Sequence, residues 1–195
     1  MSWTETAYAD PQGYLAHRAE LILALGPPLE PGDTVLDLAC GDGGLAAHLP
    51  GLRYRGVDTD AEKIATARDA GRDVVLGDLN DYEPPEPVAA TTFFRSIYYA
   101  HDRATFFRRA AGYTRTKLVF DLNPRQYRVE DVRADLHAAG FDGLELRPFF
   151  APQRFSLPRP AAAVLYGLER APVVPRMLLR FRFSLVCAAF RDRNV

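Results

Sequence analysis

Three aspartates each close a short apolar run in the first eighty residues: Asp37 in VLDLACGDGG, Asp58 in YRGVDT and Asp78 in DVVLGD. A carboxylate in that position accepts two hydrogen bonds at once, from a diol, an amine or a backbone turn. Ala39, Gly41, Gly43 and Gly44 follow Asp37. Small residues let the backbone turn tightly and approach a ligand closely. The segment 41–49 reads as a glycine loop running into a helix, whose free N–H groups and positive end face the same crevice. A second group of reactive side chains, Arg95, Ser96, Tyr98, Tyr99 and His101, clusters near residue 100. Imidazole is the side chain best suited to proton transfer at neutral pH, so His101 is the candidate general base, unless it caps the next helix or lies in solvent. Tyr98 and Tyr99 read equally as walls of an acceptor site or as core. His17, His48 and His137 fall in separate helices without metal-ligand spacing, so no metal is expected.

The elements that must position these residues alternate as βαβ units. Residues 14–26 carry apolar side chains at helical spacing and stop at Gly26 before Pro27 and Pro28. Short apolar runs at 34–39, 54–59, 73–78, 90–97 and 117–122 are bounded by turn residues, as doubly covered parallel strands are. Helices are expected over 60–71, capped by Asp60, and over 103–113 and 129–140. Two further strands are expected at 143–150 and 180–191. Between them lies a proline-spaced insert, 151–179, part of which (161–170) has helical character. The pattern predicts one α/β domain over 1–195: a doubly wound, mostly parallel, seven-stranded sheet with an antiparallel edge strand, preceded by a helical segment at 1–30. In such a sheet, ligands bind outside the carboxyl ends of the strands.

Bulk properties narrow the partners. The chain has 195 residues, 48% hydrophobic and 25% charged, ordinary values for a globular domain. Residues 1–100 hold 16 acidic and 7 basic side chains, whereas 101–195 hold 9 acidic and 17 basic. The basic half is either a set of solvated faces or a surface for an anionic acceptor or membrane. With a net charge of −1 and a pI near 6.4, a nucleic-acid partner is not expected. The N-terminus has no secretory character, and no apolar run reaches membrane-spanning length. Cys40 and Cys187 stand in unrelated contexts, so a reducing, cytoplasmic setting is expected.

Gly41-Asp42-Gly43-Gly44-Leu45-Ala46 also satisfies the dinucleotide pattern G-x-G-x-x-A. Against a pyrophosphate ligand, Asp37 sits just before the loop, where its charge repels phosphate, and a helix precedes the first strand. A ligand bearing a sulfonium and an ammonium reverses that electrostatic argument.

In this order and spacing, DLACGDG, GVDTD, GDLND, FRSIYYAHD and LHAAGF resemble the motifs of class I S-adenosylmethionine-dependent methyltransferases. The likeness covers about residues 30–150. It implies that Asp37, Ala39, Gly41 and Gly43 form the cofactor loop. It implies that Asp58, with Thr59, holds the ribose hydroxyls, and that Asp78 and Leu79 meet adenine. Arg95 joins this cofactor set, while Tyr98, Tyr99 and His101 face the reacting methyl. Two departures stand out: Ala39 replaces the usual glycine, and Val88-Ala89 replaces Phe-Asp before the fourth strand. No Asn/Asp-Pro-Pro-aromatic motif is present, which weighs against amino-methylating enzymes of that type. The blander roles are a helix cap for Asp58, a turn for Asp78 and a loop brace for Asp37. Tyr8 and Tyr14 either form a lid or pack their helix. The insert either covers the sheet edge or covers an apolar or anionic acceptor, with a transient membrane contact as a lesser reading. The expected function is methyl transfer from S-adenosylmethionine to a small organic acceptor, yielding S-adenosylhomocysteine. RNA methylation, a nicotinamide-dependent oxidoreductase and non-catalytic cofactor binding are the alternatives.

Overall fold

Alternation along the strands builds a two-faced sheet. The computed structural model describes residues 8–150, 158–169 and 184–191. Seven strands form one sheet: β1 (Thr34–Leu38), β2 (Arg53–Asp58), β3 (Val74–Leu76), β4 (Val88–Phe93), β5 (Thr114–Leu122), β6 (Gly143–Phe149) and β7 (Ser184–Phe190). Their spatial order is β3-β2-β1-β4-β5-β7-β6. β1 to β5 pair in parallel, and β7 runs antiparallel to both β5 and β6. Successive side chains point to opposite faces, so Leu118, Phe120 and Leu122 enter one core while Val119 enters the other. Likewise Leu185 and Cys187 face one side, and Val186 and Ala188 the other.

Among the described residues, five α-helices cover these faces: α1 (Pro11–Ala24), α2 (Ala61–Asp69), α3 (Arg103–Tyr113), α4 (Val129–Ala138) and α5 (Arg159–Glu169). Leu21, Ile22 and Leu25 of α1 and its exit pack against Val35, Val119 and Val186. Phe106 and Phe107 of α3 pack against Phe93 and Phe120, whose rings stack at 4.7 Å. α1 begins three residues earlier than its apolar spacing suggests. Asp10 caps it by accepting from Gly13 N at 2.9 Å, and Pro11 opens its first turn.

One expected element is corrected. Residues 41–49 do not form an α-helix; Gly44–His48 is a single 3₁₀ turn. Gly43 stands in the left-handed region and Pro50-Gly51 follows at once, so the run is too short and too glycine-rich to propagate. The loop therefore presents no α-helix N-terminus to the crevice. β4 also stops at Phe93 rather than 97, and 94–99 turn across the strand ends. Of the insert 151–179, only 158–169 lies within the described residues, and it contains α5. The start of the N-terminal segment (1–7) and residues 180–183 of the last expected strand lie outside them.

Candidate functional site

The strand order reverses between β1 and β4, and a cleft of about 480 Å³ opens at their carboxyl ends. That volume suits a cofactor-sized ligand. Its floor is the loop after β1. Ala39, Gly41 and Gly43 alternate in the left-handed region, with φ of 57°, 62° and 71°. Nothing lies within 4 Å of a Cβ built on Gly41, so the backbone there is open to a ligand. Ala39 carries a side chain in a conformation that disfavours one, at a cost of about 1–2 kcal/mol. Cys40 N donates to Val57 O at 2.9 Å and ties this loop to β2.

Asp58, Thr59, Asp78 and Leu79 come together on one wall of the cleft. Asp58 Oδ2 accepts from Gly41 N at 2.7 Å, and its Oδ1 accepts from Asp60 N at 3.0 Å. Each oxygen keeps a second lone pair, enough for a pair of ligand hydroxyls. Asp60 caps α2 and pairs with Lys63 at 2.8 Å. Asp78 Oδ1 accepts from Asn80 N and Nδ2 at 2.7 and 2.8 Å. The Asn80 backbone N–H, then its side chain, hold this carboxyl below the usual range. Asn80 also donates to Tyr99 O and accepts from His101 N. It thereby fastens the loop after β3 to the loop after β4, a role that pattern reading missed.

The opposite wall holds Tyr14 and Arg18 of α1 with Phe94, Arg95 and Tyr98. Arg18 pairs with Asp37, and its guanidinium lies 4.4 Å from the Phe94 ring centre. Tyr54 OH donates to the other Asp37 oxygen at 3.0 Å. Gly56 permits this approach, because a Cβ there would come within 2.9 Å of the Tyr54 hydroxyl. Burial pushes the Asp37 carboxyl up, and Arg18 and Tyr54 hold it back. Asp37 is fully buried and, like Gly43, does not line the cleft. Its place in the cofactor set reduces to bracing Arg18 under the loop. Arg18, by contrast, lines the cleft, and its Nε is buried without a protein partner. The signal that could have found it is an arginine on the apolar stripe shared by Tyr14, Leu21, Ile22 and Leu25.

The residues beyond β4 divide between the two walls. Arg95 has φ of 57°, and its backbone N–H donates to the buried Asp121 Oδ1 at 2.5 Å. Tyr98 and Tyr99 are more than half exposed and pack together at 4.4 Å, so they rim the cleft rather than fill the core. Burial, then contact with Tyr99, pushes the Tyr98 phenol up to about 12; at neutral pH it donates and does not take protons. His101 is exposed at the rim on the Asp78 side, its N–H held by Asn80. Tyr14 stacks on Tyr8 at 3.9 Å, and both are buried, which makes them packing residues with Tyr14 at the cleft edge. Among the described residues no helix is long and apolar enough to cross a membrane.

Comparisons with known proteins agree with this geometry. Residues 19–84 match the family described as methionine biosynthesis protein MetW. Trans-aconitate 2-methyltransferase of Mycobacterium tuberculosis is 38% identical over 86 residues, covering 38% of this chain and 32% of that protein. The enzyme of the same name from Azoarcus is 32% identical over 158 residues, covering 77% of this chain and 61% of its own length. The matches thus span from about a third to three fifths of these curated relatives. Magnesium protoporphyrin IX methyltransferase from Synechocystis, solved with bound S-adenosylmethionine, superposes with a TM-score of 0.60 at 16% identity, covering 92% of this chain and 76% of that one. By its sheet order and these likenesses, the chain has the fold of the class I S-adenosylmethionine-dependent methyltransferases.

Proposed function

We propose that this chain transfers a methyl group from S-adenosylmethionine to a small organic acceptor. The observation that carries the reading is the convergence of Asp58, open Gly41 and Asp78 on one wall of a cleft at the strand-order switch. When bound, the cofactor supplies a methyl group already activated on a positive sulfur. The chain's work is then to bind, align and exclude water. Asp58 has two lone pairs left for the ribose hydroxyls, and Asp78 with buried Leu79 frames the base. Arg18, charged and with a buried unpartnered Nε, suits the carboxylate of the cofactor's amino-acid end. The acids on the opposite wall disfavour a pyrophosphate, which argues against a nicotinamide dinucleotide.

The relatives named for trans-aconitate support a small-molecule acceptor over RNA. A cytoplasmic setting fits Cys40 and Cys187, both buried and unbridged. The test is formation of S-adenosylhomocysteine, followed by mass spectrometry, when the protein is supplied with S-adenosylmethionine and a set of small organic acids, amines and phenols. Turnover with one class supports the reading. Tight cofactor binding with no turnover on any class would favour a non-catalytic binding protein.

A further inference from the structure

Seven arginines of the described residues pair with a carboxylate: Arg18, Arg55, Arg72, Arg103, Arg109, Arg115 and Arg147. Arg95 is not among them, although it lines the cleft. Asp121, whose charge Arg95 offsets, accepts from its backbone N–H and makes no ion pair with its guanidinium. That bond holds Arg95 in the left-handed region, where a long side chain is disfavoured. Strain of this kind persists where the surroundings impose it, typically at functional sites. A guanidinium with no ion-pair partner, carried into the cleft on a backbone held in place, is a receptor for a planar anion.

We propose that Arg95 binds the acceptor rather than the cofactor, and that the acceptor it selects is a carboxylate. The inference rests on the methyltransferase reading and names the substrate class of the same site. Among the described residues, no side chain on this wall is placed to take a proton from an acceptor. Asp121 is buried beneath Arg95, Tyr98 keeps its proton, and His101 belongs to the Asp78 side. A carboxylate needs no base, being ionised at neutral pH. Its oxygen forms the new bond to the methyl carbon while the methyl–sulfur bond breaks. The bonding pair stays on sulfur, which becomes a neutral thioether, and a methyl ester is released with no proton to remove.

The experiment uses the full chain and two variants, Arg95→Gln and Arg95→Gly. The glycine variant relieves the left-handed strain, and a thermal melt of each variant establishes that it is folded. Each protein is first titrated with S-adenosylhomocysteine by calorimetry. With that ligand saturating, each is then titrated with a panel of mono-, di- and tricarboxylates including trans-aconitate, each beside its neutral methyl ester. We expect unchanged S-adenosylhomocysteine affinity in all three proteins. At least one carboxylate should bind the wild type, its ester should not, and both variants should weaken that carboxylate about 10- to 100-fold. Equal binding of acid and ester, equal binding by the variants, no carboxylate bound at all, or loss of S-adenosylhomocysteine in the variants would each overturn the proposal. Failure of S-adenosylhomocysteine to bind the wild type would instead overturn the reading beneath it.

Discussion

On the β2–β3 wall of the cleft, every carboxylate is already bonded within the protein: Asp58 to Gly41 and Asp60, Asp60 to Lys63, Asp78 to Asn80. On the β4 wall, Arg95 is unpaired, Arg18 keeps a free Nε, and aromatic rings stand between them. The first wall is organised before any ligand arrives and offers acceptor lone pairs. The second offers cationic donors and an apolar surface. A ligand whose hydroxyls meet one wall and whose negative group meets the other would be aligned by the difference. Preorganised acids suit a fixed cofactor, and the less committed wall is where acceptor choice can vary.

The largest expected effect comes from the strut beneath both walls. Arg18→Ala should leave the buried Asp37 with no cation to offset its charge, destabilising the fold by about 3–5 kcal/mol in chemical denaturation. A loss under about 1 kcal/mol, the value of a surface pair, would show that the pair is not structural. Next, Asp58→Ala should weaken S-adenosylhomocysteine by about 2–3 kcal/mol, roughly 30- to 150-fold by calorimetry. An unchanged affinity would move the cofactor off the acidic wall. Smaller still, Ala39→Gly should raise stability by about 0.5–1 kcal/mol with cofactor affinity intact, because only backbone strain is removed. If it lowers affinity, the Ala39 methyl itself contacts the ligand.

A last effect, confined to alkaline pH, separates the cleft from the scaffold. Lys117 is buried and donates to Leu25 O at 2.7 Å, and burial pulls its amine down to about 8. In the unfolded chain the amine titrates near 10.4. Between those values the unfolded state binds more protons, so stability rises as pH climbs from about 8 towards 10.4. Lys117→Met should remove that slope in thermal melts, while cofactor binding at neutral pH stays as in the wild type. A slope that survives the substitution would assign it to another group.

Much of the fold was legible because its central strands are short, apolar and fenced by glycine and proline. VLDL, VVL and KLVFDL could hardly be anything else, and Asp58 and Asp78 were legible as acids at strand ends. The 41–49 segment misled because a glycine loop before apolar residues resembles a helix start. Gly44, Pro50 and Gly51 allow only one 3₁₀ turn. The fate of Asp37 was not legible, since its partner Arg18 lies 19 residues away and meets it only through tertiary packing. The same holds for Glu169 of α5. It meets His17 at 2.9 Å and Phe150 N at 2.7 Å, docking the insert helix onto α1 across 152 residues. Local pattern carries element type and strand-end chemistry; long-range pairing of buried charges leaves no local pattern.

Calorimetric titration of S-adenosylhomocysteine into the wild type, Asp58→Ala and Arg95→Gly tests the division of the cleft most directly. The account predicts binding by the wild type, roughly 30- to 150-fold weaker binding in Asp58→Ala and wild-type affinity in Arg95→Gly. Unchanged affinity in Asp58→Ala, or no binding by a wild-type protein shown to be folded, would contradict it.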